Sequence, residues 1–367
     1  MIPVVLVLPV LHPAGAERIV ADLATRLAAH DFAARVICLE DENAAVGEEL
    51  RAAGIPVSGL RLSRRRTLAC ARALQEQLSA ERPLIVHSHL FHANMAARMA
   101  LARMSAPARA KIHLINTLHV AERRFRPWQF AMDRVTARYA RVEVCVSKAV
   151  AAFQQEKTGL PARFFRVIEN GIDLARFVSL TPAVQLPANL NVVSIGRLDP
   201  QKDFATLLHA WALVLDRFPA ARLSIAGEGP ERERLTALIS SLRLRNVNLP
   251  GFVQDIPGLL QQACLYVQPS AWEGFGLAVA EAMAANLPVI VSDADSLPEV
   301  VTDRKTGLVV PKAQPKPLAD AIISLLEERA LAVRYAAAAR DEAARRFSVE
   351  RMVADYAALY REIACAS

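Results

Sequence analysis

Glu273 and Glu281 have seven residues between them in the segment Ser270-Ala-Trp-Glu-Gly-Phe-Gly-Leu-Ala-Val-Ala-Glu281. Gly274 and Gly276 let the backbone approach a ligand closely, and the amides opening the following helix offer an anion site. Glu281 falls near the middle of the apolar run Leu277 to Leu287, where an unpaired carboxylate is costly to bury. Ligand hydroxyls would satisfy it there; on the outer face of an amphipathic helix it would need no partner. A second constellation is Ser194-Ile-Gly-Arg-Leu-Asp-Pro-Gln-Lys-Asp203. Its Gly196 ends a strand, and Arg197 and Lys202 project from the loop before a helix. Two cations at a strand's carboxyl end beside a helix N-terminus suit a diphosphate, and seen alone they also fit a solvated loop.

Histidine supplies the third cluster, His87-Ser-His89-Leu-Phe-His92. Two of these imidazoles come at strand spacing and the third lies past a turn, without a nearby carboxylate. Cleft-lining or structural histidines are therefore expected rather than a metal centre. His119, standing alone, would be an ordinary structural or surface histidine. Cys38, Cys70, Cys145, Cys264 and Cys365 are odd in number and widely spaced, which excludes a disulfide framework or zinc motif and points to a reducing cytoplasm.

Positioning such residues requires strand ends, and the sequence supplies them by alternation. Val4 to Val10, Ala34 to Leu39, Leu84 to His87, Ile112 to Thr117 and Val142 to Val146 read as the complete strand set of the first half. Helices are expected over Ala16 to His30, Leu68 to Ala80 and Asn94 to Met104. The second half repeats the rhythm with strands Asn191 to Ile195, Arg222 to Ala226, Leu265 to Gln268 and Val289 to Val291. Its helices are Phe204 to Arg217, Arg232 to Ser241 and Leu277 to Ala285. This βαβα order predicts parallel sheets with helices on both faces. The Pro-containing stretch Leu180 to Asn189 reads as a linker, dividing residues 1–180 from 181–349. Pro317 to Cys365 reads as two or three surface helices, the last of them, from about residue 350, able to return to the first domain. Ligands are expected beyond the carboxyl ends of the strands, in a cleft faced by both Rossmann-like domains.

The 367 residues suffice for two domains. Met1 to Leu11 reads as a buried first strand and not as a signal peptide, having no basic start or small-residue cleavage site. No apolar run reaches the roughly 18 residues that a membrane-crossing helix needs. Positive charge is uneven: residues 1–180 carry 25 Lys/Arg against 16 Asp/Glu, and the remainder 19 against 21. Arg61, Arg64, Arg65, Arg66, Arg123, Arg124 and Arg126 supply much of the excess. A solvated basic face, anionic headgroups or a phosphorylated acceptor all fit it. Nucleic acid is excluded as a partner, because no binding module is present and the basic residues are not interleaved with stacking aromatics.

Together these segments resemble the family 4 retaining glycosyltransferases of the GT-B fold, over nearly the whole chain. The family's E-x7-E element is matched by Glu273 and Glu281, and its G-R-x-x-x-x-K segment by Gly196, Arg197 and Lys202. Ala226-Gly-Glu-Gly229, Gly251-Phe-Val253, Ser147-Lys148 and Asn170-Gly-Ile-Asp173 match further. The resemblance implies that Glu281 binds ribose hydroxyls and Glu273 the donor sugar. It implies that Arg197 and Lys202 hold the diphosphate with the amides of Phe275, Gly276 and Leu277, and that backbone near Val253 meets the base. In the first half, His12-Pro-Ala-Gly-Ala-Glu17 matches a glycine loop with Ala14 in place of one glycine, leaving close phosphate approach to Gly15. Thr117-Leu-His119 matches a strand-end histidine beside the donor sugar. The implied activity is retaining transfer of a sugar from a UDP- or GDP-linked donor to a glycan or lipid-linked acceptor, without metal or other cofactor. A place in lipopolysaccharide or exopolysaccharide synthesis follows, in the cytoplasm and at the membrane periphery. A nucleotide-sugar epimerase and a degenerate, non-catalytic binding module are the competing expectations. A nicotinamide dehydrogenase is disfavoured, since no G-x-G-x-x-G follows the first strand.

Overall fold

The alternation resolves, in a computed structural model that describes residues 1–178 and 190–365, into two parallel sheets. The expected linker, Leu180 to Asn189, lies outside the described residues. The chain divides into two compact units, Met1–Gly171 with Val349–Ser367, and Ile172–Ser348.

In the first unit the strands are β1 (Ile2–Leu8), β2 (Phe32–Cys38), β3 (Val57–Gly59), β4 (Ile85–His89), β5 (His113–Leu118), β6 (Val142–Cys145) and β7 (Phe165–Val167), in the order β3-β2-β1-β4-β5-β6-β7. The second unit contains β8 (Asn191–Ile195), β9 (Arg222–Ala226), β10 (Val247–Gly251), β11 (Leu265–Gln268), β12 (Val289–Ser292) and β13 (Leu308–Val310), ordered β10-β9-β8-β11-β12-β13. Every neighbouring pair in both sheets is parallel. The order reverses between β1 and β4 in one sheet and between β8 and β11 in the other. Ligands in such sheets bind beyond the carboxyl ends of the strands at this reversal.

The reason these strands sit at the centre is their composition. Val4 to Leu8 are all buried, as expected for a strand covered by helices on both faces. The helix Phe204–Arg217 drives Phe204, Leu207, Leu208, Trp211 and Val214 into the second core, with Leu223, Ile225, Leu265 and Ile322 around them. The helix Leu277–Ala284 buries five of its eight residues and exposes none fully, so it lies inside the fold and is not an amphipathic surface helix.

One expectation needs correction. The first sheet has two more strands than the five read from sequence, because β3 and β7 are three-residue edge strands with half-buried or exposed side chains. The C-terminal helices lie at the surface with one buried face each, Arg329–Arg346 burying five of its 18 residues and Val349–Cys365 seven of its 17. Val349–Cys365 belongs to the first unit and buries Met352, Val353, Tyr356 and Tyr360, with the Tyr360 ring edge-on to Phe32 at 5.4 Å.

The carboxyl ends of β4 and β5 are held from two sides, following the two-residue period of a strand. On one face, Ser88 donates to Asn94 Oδ1 (2.8 Å) and accepts from Asn116 Nδ2 (2.7 Å). Asn116 in turn accepts from Arg98 Nε at 2.7 Å. Arg98, fully buried on the helix Phe91–Arg103, also pairs with Asp133 and Glu143, so one guanidinium ties that helix to β5, β6 and the helix Pro127–Thr136. On the other face, His87 joins Tyr360 (2.6 Å) and Thr117 (2.7 Å).

A buried ion pair broken from one side leaves a bare charge, which costs about 3–5 kcal/mol. Arg98→Ala is therefore expected to lose several kcal/mol of stability, read from the urea midpoint. A midpoint unchanged from wild type would show that the two carboxylates carry no charge in the fold.

Candidate active site

Lys202 lies on the loop between β8 and the helix Phe204–Arg217, and Glu273 on the loop between β11 and the helix Leu277–Ala284. Their side chains form an ion pair, Lys202 Nζ with Glu273 Oε2, and both are largely shielded from solvent. Glu273, only 7% exposed, is further satisfied by Ser270 Oγ (3.2 Å) and by the Gly274 amide (3.2 Å). Ser296 Oγ donates to the Glu273 carbonyl at 3.1 Å. Ser270 is itself fixed by Gln268 Nε2 (2.9 Å), and its carbonyl accepts from Ser292 Oγ (2.6 Å). This set of hydrogen bonds aims a charged carboxylate into a fold that would otherwise exclude it.

Small residues make the approach geometrically feasible. A Cβ on Gly196 would lie 3.0–3.2 Å from the Lys202 aliphatic carbons, so the lysine stem runs against that glycine. Gly276 takes φ +99° at the start of the helix Leu277–Ala284, a left-handed conformation that a side chain would strain. Asp203 closes the other loop as N-cap, accepting from the Thr206 amide at 3.3 Å and from Thr206 Oγ1 at 2.7 Å. Two helices thus open beside the Lys202–Glu273 pair, and helix openings favour anions.

The other donor-side residues occupy distinct places. Glu281 is the fifth residue of the helix Leu277–Ala284 and is half-buried. Burial first, then the charges of Glu273 and Glu281, push the Tyr266 hydroxyl well above its ordinary range, which brings both carboxylates into the surroundings of one phenol. Tyr266 donates to Gln268 Oε1 at 2.5 Å and so belongs to the same polar set. Arg197 follows β8 and is exposed. Val253, half-buried, follows β10 next to the exposed Phe252. Phe275 is a core side chain, edge-on to Phe347 at 5.3 Å, so only its backbone is left for a ligand. Leu277 is half-buried at the first helical position.

In the first unit, His119 follows the carboxyl end of β5, and its Nε2 lies 3.1 Å from His89 Nδ1 at the end of β4. His89 and His87 stack with ring centroids 4.0 Å apart. Sequence reasoning left His87, His89 and His92 together without separate roles. The register His89↔Thr117 is what brings His89 to His119, and no local spacing encodes it. His92 lies apart, half-buried in the first turn of the helix Phe91–Arg103 with its ring edge-on to Phe91. Gly15 is exposed at the first position of the helix Gly15–Arg26, after β1. Among the described residues no group of His, Cys, Asp and Glu side chains forms a metal-ligand set.

Burial pushes the His87 imidazole down to about 3 and that of His119 to about 4, and holds His89 well below the ordinary histidine value. These groups bind fewer protons folded than unfolded, where the value is about 6.5. Their stabilising effect is complete above that value and fades as the pH falls toward the folded ones. Lowering the pH from 7.5 to 5.5 is expected to cost on the order of 1 kcal/mol for each of the buried His87 and His89, and less for the half-buried His119. The urea midpoint should fall accordingly, and less steeply in His119→Ala. Equal slopes in both proteins would mean that His119 titrates normally.

The chain is a glycosyltransferase built from two Rossmann-like units of the GT-B type. Residues 187–342 match the model for glycosyl transferases group 1, and residues 13–176 match that for glycosyltransferase family 4. Phosphatidyl-myo-inositol mannosyltransferase of Mycobacterium leprae is 31% identical over 292 residues, spanning 76% of this chain and 74% of that protein. A colanic acid biosynthesis glycosyltransferase assigned putatively in Escherichia coli K12, WcaL, is 32% identical over 174 residues, 45% of this chain and 42% of that one. The crystal structure of Anabaena HepE in complex with UDP-glucose shares the fold, with a TM-score of 0.86 at 23% identity over 99% of this chain and 100% of that one. The chain belongs to the family 4 glycosyltransferases. Among the described residues no helix is long and apolar enough to cross a membrane.

Proposed function

We propose that the enzyme is a retaining, metal-independent glycosyltransferase that moves a sugar from a UDP- or GDP-linked donor to a hydroxyl of a glycan or glycolipid. The buried Lys202–Glu273 pair at the β8/β11 reversal, beside the helix opening at Gly276, carries this reading. In it, Arg197, Lys202 and the amides of Phe275, Gly276 and Leu277 receive the diphosphate, Glu281 the ribose, Glu273 the sugar hydroxyls, and backbone at Val253 the base. Gly15 and His119 serve from the first unit, His119 next to the transferred sugar.

Bond-making here is a same-face displacement. The acceptor oxygen bonds to the anomeric carbon as the carbon–phosphate oxygen bond breaks, and a departing phosphate oxygen takes the acceptor proton. Negative charge grows on the leaving diphosphate, and fixed cations and amides stabilise it where another enzyme would use a metal ion. No cofactor is part of the proposal. The mannosyltransferase relative is named for a lipid acceptor, and HepE was crystallised with UDP-glucose, which favour a glycolipid acceptor and a nucleotide-sugar donor. A role in cell-surface polysaccharide or lipopolysaccharide synthesis accords with the WcaL likeness. Cytoplasmic work, with the basic first unit against an anionic membrane, completes the reading. Arg61 and Arg64 pair with Glu42 and Glu40, and Arg61, Arg65 and Arg66 are the exposed arginines of that segment.

A thermal-shift screen of UDP, GDP and ADP sugars tests the donor site, because stabilisation grows with ligand concentration over its dissociation constant. One of the UDP and GDP series is expected to raise Tm, and Lys202→Ala to abolish that rise. Glu281→Ala should lower turnover by roughly 100-fold or more with the circular dichroism spectrum unchanged. Turnover within about tenfold of wild type would remove Glu281 from the donor site.

A further inference from the structure

The facing imidazoles of His89 and His119 permit two proton arrangements. His89 is buried and His119 half-buried, and desolvation keeps both rings neutral, so each carries one N–H and one bare nitrogen. Across the 3.1 Å contact, either His89 Nδ1–H donates to His119 Nε2, or His119 Nε2–H donates to His89 Nδ1. The remaining nitrogen of His89 decides between them. His89 Nε2 is buried and has no hydrogen-bond partner among the described residues. If His119 were the donor, His89 would carry its proton on Nε2, leaving a buried N–H with no acceptor. Such orphaned donors are among the rarest features of folded proteins, and leaving one unmade costs about 1–3 kcal/mol. With His89 Nδ1 as donor, Nε2 is a bare lone pair and no N–H is stranded.

We infer that His89 is a positioning residue that donates from Nδ1 to His119 Nε2 and thereby holds His119 as its Nδ1–H tautomer, a hydrogen-bond donor toward the transferred sugar. This rests on the reading that His119 stands at the transfer site. His119 Nε2 is then occupied as an acceptor, so His119 offers substrate a proton to share and not a base. The surroundings keep His89 from turning. His87 stacks on its ring, and both nitrogens of His87 are engaged, by Tyr360 and Thr117. The C-terminal helix Val349–Cys365 thus reaches His119 through Tyr360, His87 and His89.

The tautomer is directly readable by 15N NMR of histidine-labelled enzyme, which separates protonated from bare ring nitrogens. Wild type is expected to show His119 with Nδ1 protonated and Nε2 bare. His89→Leu removes the donor; the His119 signals should move toward the Nε2–H form, and kcat should fall about tenfold or more with the donor KM within about twofold. His89→Asn returns an N–H near the position of Nδ1 and should recover most of both signals, which a merely structural role would not predict. Wild-type His119 protonated on Nε2, or a His89→Leu enzyme with unchanged tautomer and kcat, overturns the inference. His119→Ala separates the two claims: full activity in it would overturn the role of His119 at the transfer site, while the NMR result on the His89–His119 pair would stand or fall by itself.

Discussion

A carboxylate buried beside a lysine is the constraint around which the second unit is arranged. Glu273 is nearly inaccessible, and an unpaired charge there would be expelled or neutralised. Lys202 and the Ser270 and Gly274 donors pair with it and fix it in place. Because Lys202 belongs to the loop after β8 and Glu273 to the loop after β11, the pair fastens together the two loops that flank the reversal in strand order. Close packing of the neighbouring backbone follows from that. Gly227, at φ +145°, sits where a Cβ would come within 2.0 Å of the Gly196 carbonyl oxygen. A larger residue would push the β8 loop, and Lys202 with it, away from Glu273.

The first unit answers a similar demand with the charges removed from the strand ends. One buried cluster of charged side chains, Arg98 with Asp133 and Glu143, lies on the face of β4 and β5 opposite the histidines. The strand ends themselves carry neutral imidazoles linked to hydroxyls. One face therefore fixes the strands by charge, and the other leaves uncharged donors and acceptors at their carboxyl ends.

Much of this was legible in the residues. Strands β8, β9 and β11 and the helices Phe204–Arg217 and Arg232–Ser241 run between the residues that hydrophobic periodicity marks, because each is a clean apolar run or amphipathic repeat bounded by a turn. Glu281 announced itself by its apolar neighbours. Edge strands β3 and β7 did not, being too short for any period to show and only partly buried. The buried face of the Ala- and Arg-rich C-terminus was hidden for another reason. Ala336, Ala339 and Ala343 pack as small residues in a close helix contact, where alanine's modest hydropathy reads as surface. Least legible was the His89–His119 contact, which depends on the pairing register of two strands separated by a helix.

In the proposed function, the neutral histidines of one unit and the lysine–glutamate pair of the other take different tasks in glycosyl transfer. A leaving diphosphate gains negative charge as its bond to the sugar breaks, so cations and helix-opening amides fixed in advance lower the barrier, while a neutral donor would give less. A sugar hydroxyl gains little charge, and a permanent cation beside it would instead attract the diphosphate or water. Desolvation of His119 keeps it uncharged near neutral pH. Its neutrality is thus a property of the β4–β5 strand ends and of the helix that covers His87, and the same burial that stabilises the fold selects the protonation state.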